Sequence, residues 1–272
     1  MLIADSQVHW WRTDDPEGKP RHGDRPYGVS DALAEMRAAD VNRAVLIPPY
    51  WVGFDNSYCC DAAARHPEQF RVMGRFDVTV RDEDAVATWL RQPEMLGIRL
   101  TLHTPELRPF VAGDAADWFW AAAEKAAIPV MVHAPGELAG IARIARDFPK
   151  LRLAVDHMGI ERGGKDEDAF AHIDTLLKLA AYGNICIKLT TLPIYSSEQY
   201  PHPRLHPYIR ALFEAFGPRR LFWGSDLTRL PCSYRLAINL FTEEFRWLTA
   251  SDLDWIMGRA LCEWSDWQAD HS

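Results

Sequence analysis

The sequence is poor in cysteine and lacks the motifs that define several large enzyme classes. Its five cysteines form no CxxC pair, which argues against a zinc ribbon or a disulfide framework. No GxSxG, GxxxxGK[ST] or GxGxxG motif is present. Serine-hydrolase, P-loop and dinucleotide-binding functions therefore have no support from the sequence.

Long apolar runs and an excess of positive charge are absent as well. No segment approaches the ~20 apolar residues of a membrane span, and no signal-peptide pattern opens the chain, so we expect a cytoplasmic protein. The formal net charge of -8 argues against nucleic acid or an anionic membrane as a partner. We expect a small-molecule partner, either an anion or a cyclic ester, and homo-oligomerisation stays open.

Short apolar segments alternate with helical patterns along all 272 residues. The predicted strands are Leu2–Asp5, Ala44–Ile47, Val72–Phe76, Gly97–Leu102, Val130–His133, Leu151–His157, Asn184–Leu189 and Leu221–Ser225. The predicted helices cover about residues 30–39, 56–65, 82–91, 116–126, 137–147, 169–181, 206–216, 234–247 and 251–260, with Ser30 as the first N-cap.

Several of these strands are almost continuously apolar, as parallel strands buried on both faces are. Eight strand–helix units in a chain of this length predict one α/β domain over residues 1–272, a single (β/α)8 TIM barrel. A doubly wound open sheet is the competing architecture.

Polar and ionisable side chains collect where the predicted strands end. They are Asp5, Gln7 and His9 around strand one, Arg99 in strand four, His133 and His157 at the ends of strands five and six, Lys188 in strand seven, and Asp226 after strand eight. Active sites of barrel enzymes lie at the C-terminal strand ends, so this pattern predicts a site there.

The segments QVH, VMVHAPG, AVDHMGI and LFWGSDL resemble the metal-binding pattern of the amidohydrolase superfamily. That pattern is HxH after strand one, a histidine after each of strands five and six, and an aspartate after strand eight. GIRLTL, ICIKLTTL and DNSYCCDAAARHPEQF are similar to the amidohydrolase-related subgroup of lactonases and decarboxylases. The resemblance implies a barrel hydrolase.

One departure from the family pattern concerns the metal. Gln7 stands at the first HxH position, and its amide is a poor zinc ligand. Arg99 lies in the strand where binuclear relatives place a bridging lysine, and arginine stays protonated. We therefore expect no cofactor, with one zinc on His9, His133 and Asp226 as the alternative.

The resemblance implies a lactonase that opens a small carboxylated or sugar-acid lactone. Asp226 would be the general base, and His133, His157 and His9 would polarise the carbonyl. Arg99 and Lys188 would bind a substrate carboxylate. Two alternatives are a zinc-dependent decarboxylase or hydrolase of the same family, and a non-catalytic barrel that binds a small anion.

Structural interpretations of the same residues stay open. Asp226 would be the N-cap of the next segment. His157 would be a buried core histidine whose ring nitrogens are both hydrogen-bonded. Arg99 and Lys188 would form ion pairs inside the barrel, with Asp5, Asp77 or Asp156 as the candidate partners.

The loops after the strands contain candidate pocket walls. Gln7, Trp11 and Tyr50 are expected to contact substrate, although the two aromatic side chains would equally suit loop packing or a dimer contact. The loop after strand one also carries Arg12, Arg21, His22 and Arg25, and the loop of residues 191–206 is the candidate lid. The His202 and His206 pair is not expected to bind zinc.

Overall fold

The computed structural model describes residues 1–11 and 28–268, and its central feature is an eight-stranded parallel sheet. Each strand pairs with the next along the chain. The strands are Ala4–His9 (β1), Arg43–Ile47 (β2), Phe70–Arg75 (β3), Met95–Thr101 (β4), Val130–His133 (β5), Leu153–Val155 (β6), Ile185–Thr190 (β7) and Leu221–Gly224 (β8). The prediction of a (β/α)8 TIM barrel is confirmed.

Helices lie between the strands and cover the sheet from outside. They are Val29–Ala39 (α1), Ser57–Arg65 (α2), Glu83–Thr88 (α3), Pro109–Ala112 (α4), Asp117–Lys125 (α5), Leu138–Asp147 (α6), Asp166–Ala169 (α7), Ile173–Lys178 (α8), His206–Phe216 (α9), Tyr234–Asn239 (α10), Ala250–Asp254 (α11) and Ala260–Trp264 (α12). Two π-helical segments, Leu240–Glu244 and Trp255–Arg259, extend α10 and join α11 to α12.

The barrel is apolar on both faces of its wall, which explains the continuous apolar strand sequences. One cluster of buried residues joins the strands to the helices. A second, smaller cluster combines strand residues such as Val45 and Met131 with Trp255, Trp264 and Trp267 from the C-terminal segment. The C-terminal segment thus belongs to the core.

Hydrogen bonds between β1 and the residues after β8 close the barrel, and we call this contact the seam. The backbone N–H of Asp226 donates to the carbonyl of Gln7 over 2.9 Å. The buried Asp5 carboxylate accepts from the Ser225 backbone at 2.9 Å, from the Ser225 hydroxyl, and from the Tyr234 hydroxyl at 2.6 Å. Asp5 is therefore a structural residue of the seam.

Some boundaries differ from the sequence prediction. Strand β1 continues to His9, past a register irregularity after Asp5, so Gln7 and His9 lie within the strand. Strand β6 ends at Val155 because the next residues turn. The Ser30 cap was wrong, since Gly28 caps α1 and its N–H donates to Asp31.

Among residues 1–11 and 28–268, no helix is long and apolar enough to cross a membrane.

Candidate active site

Gln7 is the hub of a buried hydrogen-bond network at the strand ends. Its amide nitrogen lies 3.2 Å from His9 Nε2 and 3.1 Å from His157 Nε2. The Lys188 ammonium donates to the amide oxygen of Gln7 over 2.5 Å. Because that oxygen accepts from a cation, the amide NH2 faces the two imidazoles and donates to both.

Asp156 is the counter-ion of two buried cations. Lys188 Nζ lies 2.8 Å from one carboxylate oxygen, and Arg99 Nε donates to the other over 2.8 Å. Arg99 also donates to the Thr101 hydroxyl over 2.6 Å. The structure therefore favours the ion-pair interpretation for both cations, with Asp156 as the partner.

Lys188 is completely buried, and its ammonium contacts Asp156 and Gln7. The expected role in binding a substrate carboxylate therefore does not suit Lys188. Arg99 differs, because it forms part of the wall of the pocket described below.

Asp226 is fully buried beside His9 and Arg229, which both line that pocket. Its Oδ2 lies 3.4 Å from the Thr191 hydroxyl and 3.4 Å from Arg229 Nη1. Its Oδ1 lies 3.5 Å from His9 Nε2 and has no hydrogen-bond donor within the described ranges. The capping interpretation was wrong, because the Asp226 side chain makes no cap hydrogen bond to the next segment.

The strand ends next to Asp226 share an unusual backbone. His157, Thr191 and Asp226, which follow β6, β7 and β8, have φ angles of 51°, 62° and 50°. Residues other than glycine seldom adopt this left-handed conformation, and it recurs at functional sites. The turn at each strand end aims the side chain toward the common centre of the mouth.

Hydrogen bonds distinguish the three predicted histidines. His9 Nδ1 donates to the Ile47 carbonyl over 3.0 Å, so its Nε2 carries a lone pair. His157 Nε2 accepts from Gln7, and its Nδ1 donates to the Thr190 hydroxyl over 2.6 Å. His133 is different, since no described residue hydrogen-bonds to its ring nitrogens and Nδ1 is buried. Of these three, His133 is the one whose Nε2 has no described partner, and with its proton on Nε2 it can donate to a carbonyl in the pocket.

Burial keeps these imidazoles neutral at pH 7. It lowers the pKa of His9 to about 4 and that of His133 to about 3. The pKa of His157 is lowered well below its ordinary value, again mainly by burial. These residues therefore act as neutral hydrogen-bonding groups at this pH.

We expect acid to destabilise the fold well above the range in which carboxylates titrate. Below about pH 6.5 the unfolded chain binds protons that folded His9 and His133 do not, so stability falls by about 1.4 kcal/mol per pH unit for each imidazole until pH nears its folded pKa. Burial raises the pKa of Asp5, which opposes this effect at the acidic end.

Urea unfolding at pH 7.5, 6.5, 5.5 and 4.5 measures the slope. The His133→Asn variant should unfold with a slope shallower by about one proton. A free energy of unfolding that stays constant from pH 6.5 to 4.5 would contradict buried neutral imidazoles.

A pocket of about 380 Å³ lies over this network. Its walls include the predicted residues His9, Tyr50, Arg99, His133 and His157. Trp51 lines it too, and Trp11 packs edge-to-face behind Trp51 with ring centroids 5.2 Å apart. Trp11 is thus placed to support the wall, whereas half-exposed Tyr50 faces the pocket directly.

Other wall residues were not predicted. Thr101, His103, Tyr195 and Arg229 all line the pocket. Thr101 lies two positions after Arg99 in β4, so the period of a strand could have shown that both face the same side. The others come from loops, where no periodicity indicates which side chains turn inward.

The donor set does not fit a resident three-ligand zinc. His9 and Asp226 each offer a lone pair, but Gln7 donates to His9 Nε2. The Gln7 oxygen is bound by Lys188 and is not turned toward a metal. Within residues 1–11 and 28–268, no three His, Cys, Asp or Glu side chains converge as metal ligands do.

The candidate lid is locally hydrogen-bonded. His202 Nδ1 lies 2.9 Å from the Glu198 carbonyl, and His206 Nε2 lies 2.8 Å from the Pro201 carbonyl. One ring nitrogen of each histidine is thus engaged with the backbone. Arg12, Arg21, His22 and Arg25 lie outside the described residues.

A parallel barrel with a carboxylate, imidazoles and cations around one pocket at its strand ends has the architecture of a (β/α)8-barrel hydrolase. A sequence profile described as amidohydrolase matches residues 4–259. The chain therefore belongs to the amidohydrolase family, which confirms the resemblance seen in the sequence.

Individual proteins resemble the chain over most of its length. An L-fucono-1,5-lactonase from Burkholderia ambifaria is 29% identical over 242 residues, which are 82% of this chain and 79% of that protein. A zinc-bound amidohydrolase from Burkholderia multivorans superimposes with a TM-score of 0.82, at 20% identity and with 98% and 99% of the two chains covered. A Pseudomonas putida protein whose proposed activity is 2-pyrone-4,6-dicarboxylic acid hydrolysis gives a TM-score of 0.72, at 23% identity and 99% coverage of both chains.

Proposed function

We propose that the protein hydrolyses a 1,5-lactone of a sugar acid or of a similar small carboxylated ring. The observation that carries the proposal is Asp226 Oδ1, a buried carboxylate oxygen that accepts no hydrogen bond from a described residue and lies 3.5 Å from Nε2 of His9, a residue of the pocket wall. A carboxylate oxygen with a free lone pair can accept the proton of a water that enters from the pocket. The lactonase relative supports this choice of ester.

In this mechanism Asp226 is the general base. Water attacks the lactone carbonyl carbon, and its proton passes to Asp226 as the new C–O bond forms. The ring C–O bond then breaks, the departing ring oxygen takes up the proton, and the product is an open-chain hydroxy acid. The Asp226 carboxylate is regenerated.

His133 and Arg99 are placed to stabilise the charge that develops on the carbonyl oxygen. His133 has the uncommitted ring N–H, and the Arg99 guanidinium lines the same pocket. Gln7, by donating to His9 and His157, fixes the orientation of both rings. We assign His157 a positioning role, because both its nitrogens are already hydrogen-bonded.

We propose further that this chemistry needs no resident metal, since the hydrogen bonds of Gln7 occupy the positions that ligands would need. The second candidate is a hydrolase or decarboxylase with one zinc held by His9, Asp226 and His133. It is favoured by the 3.5 Å approach of His9 to Asp226 and by the zinc in the Burkholderia multivorans structure.

Turnover of a lactone panel with and without a chelator decides between these candidates. We expect purified protein to hydrolyse L-fucono-1,5-lactone or another sugar 1,5-lactone, with a kcat/KM that changes less than twofold after dialysis against EDTA. Metal analysis of the same sample is the control for complete removal. Loss of turnover on chelation and its return with zinc would establish the second candidate, and inertness toward every lactone would exclude the first.

A further inference from the structure

A second chamber of about 420 Å³ lies beside the pocket, on the β3 and β4 side of the barrel mouth. The two spaces share wall residues, namely Tyr50, Trp51, Arg99 and Thr101. Strand β3 is separated from β8 by β1 and β2 in the barrel order. A ligand held over Asp226 would therefore reach the chamber through a substituent that extends across the mouth.

Arg75, the last residue of β3, lines this chamber and is only 5% exposed. Its Nε and Nη1 have no hydrogen-bond partner within the part of the chain that the structure describes. The rings of Tyr50 and Phe54 lie 4.9 and 5.4 Å from its Cζ. Its register neighbour on β4 is another cation, Arg99.

The other two buried arginines among the described residues have an ion-pair partner or hydrogen-bond acceptors. Arg99 pairs with Asp156, and Arg43 donates to the carbonyls of Trp267 and Gln268. Arg75 instead lines the chamber, and its Nε and Nη1 have no described hydrogen-bond acceptor, although leaving a buried cation without a counter-ion is costly. An anionic group in the chamber would supply the counter-charge for Arg75.

We infer that Arg75 binds a carboxylate on the substrate, on a substituent that projects from the lactone ring into the chamber. The inference rests on the proposed lactonase function and narrows its substrate class to carboxylated lactones. A guanidinium presents paired N–H donors along its edges, and such an edge matches the two oxygens of one carboxylate. The aromatic rings of Tyr50 and Phe54 hold the guanidinium plane in place.

Two ring lactones that differ only in their carboxylates provide the kinetic test, namely 2-pyrone-4,6-dicarboxylate and unsubstituted 2-pyrone. We expect Arg75→Met to lower kcat/KM for the dicarboxylate about 100-fold, at least ten times more than for 2-pyrone. Arg75→Lys should recover part of the loss, because it restores charge without the planar pair of donors.

Arg71→Met is the matched control, because Arg71 belongs to the same strand but contacts the Trp267 ring and local carbonyls instead. It should leave the ratio of the two kcat/KM values unchanged. Equal losses on both lactones for Arg75→Met would overturn the inference. So would a wild-type protein that opens L-fucono-1,5-lactone but not the dicarboxylate.

Thermal unfolding with citrate as a probe tests Arg75 without any turnover. Citrate should raise the melting temperature of the wild type and of Arg71→Met, but not that of Arg75→Met. Citrate stabilisation that survives Arg75→Met would refute the anion site. If citrate binding depends on Arg75 but the kinetic ratio does not, the anion is a separate ligand and the assignment to substrate is wrong.

These measurements distinguish a failure of the proposed lactonase function from a failure of the proposed anion site at Arg75. A protein that opens no lactone, yet loses its citrate stabilisation in Arg75→Met, would overturn the proposed function and retain the anion site.

Discussion

We expect Asp226→Asn to lower kcat for lactone hydrolysis by about 10²–10⁴-fold, the usual contribution of a general base. Asparagine has nearly the shape of aspartate but cannot take the proton from the attacking water. The Oδ2 contacts of Asp226 come from the donors Thr191 and Arg229, and an amide oxygen still accepts from both. KM should therefore change much less than kcat.

Steady-state kinetics at pH 7.5 measures this effect, with circular dichroism to show that the barrel has folded. Asp82→Asn is a matched control. Its carboxylate caps α3 at an exposed position, and asparagine is an equally good N-cap. An Asp226→Asn enzyme with a kcat within threefold of wild type would assign the base to another residue.

The largest effect on stability should come from Asp156→Ala. The substitution leaves the buried Lys188 ammonium without its counter-ion and removes a charged partner from Arg99. Breaking a buried ion pair by removing one partner destabilises by about 3–5 kcal/mol. Urea unfolding at pH 7.5 should show a loss in this range.

Two further variants show how much of the stability lost in Asp156→Ala comes from the unpaired charge and how much from the lost side-chain volume. Asp147→Ala removes a surface carboxylate paired with Arg143 and Arg146, and it should cost less than about 1 kcal/mol. Adding Lys188→Met to Asp156→Ala should recover part of the stability, because the unpaired ammonium is then gone. If the double variant is less stable than Asp156→Ala alone, the charge argument is wrong.

The pH dependence of the same cluster has a defined sign. Burial alone would raise the pKa of Asp156, but Lys188 and Arg99 outweigh it and hold that pKa below its ordinary value. The stabilisation by the ion pairs is therefore complete above about pH 4, the ordinary pKa of an aspartate, and declines as the pH falls further.

The barrel was predictable because its strands are buried on both faces and carry continuous apolar runs. The positions of several site residues were predictable for the same reason, because an ionisable side chain such as His133 is conspicuous at the end of an apolar strand. The family pattern then related Gln7, His9, His157 and Asp226 to one another, and the structure brings these residues together.

What the sequence did not reveal is how the polar groups pair. Which nitrogen of His9 or His157 carries the proton depends on the carbonyl of Ile47 and the hydroxyl of Thr190, which lie on neighbouring strands. The pairing of Lys188 with Asp156 depends on the register between β6 and β7, which the sequence does not specify. Arg75 could not be predicted from the sequence, because only the structure shows that this buried arginine has no described carboxylate beside it.

The seam has a consequence for how the protein matures. The backbone N–H of Asp226 is bound to Gln7, so the proposed base takes its position only when the last strand docks against the first. Translation makes Gln7 long before it makes Asp226. A nascent or truncated chain that lacks the final strand–helix unit would bury much of its core and still be inactive. During refolding, the recovery of turnover would report when β8 docks against β1.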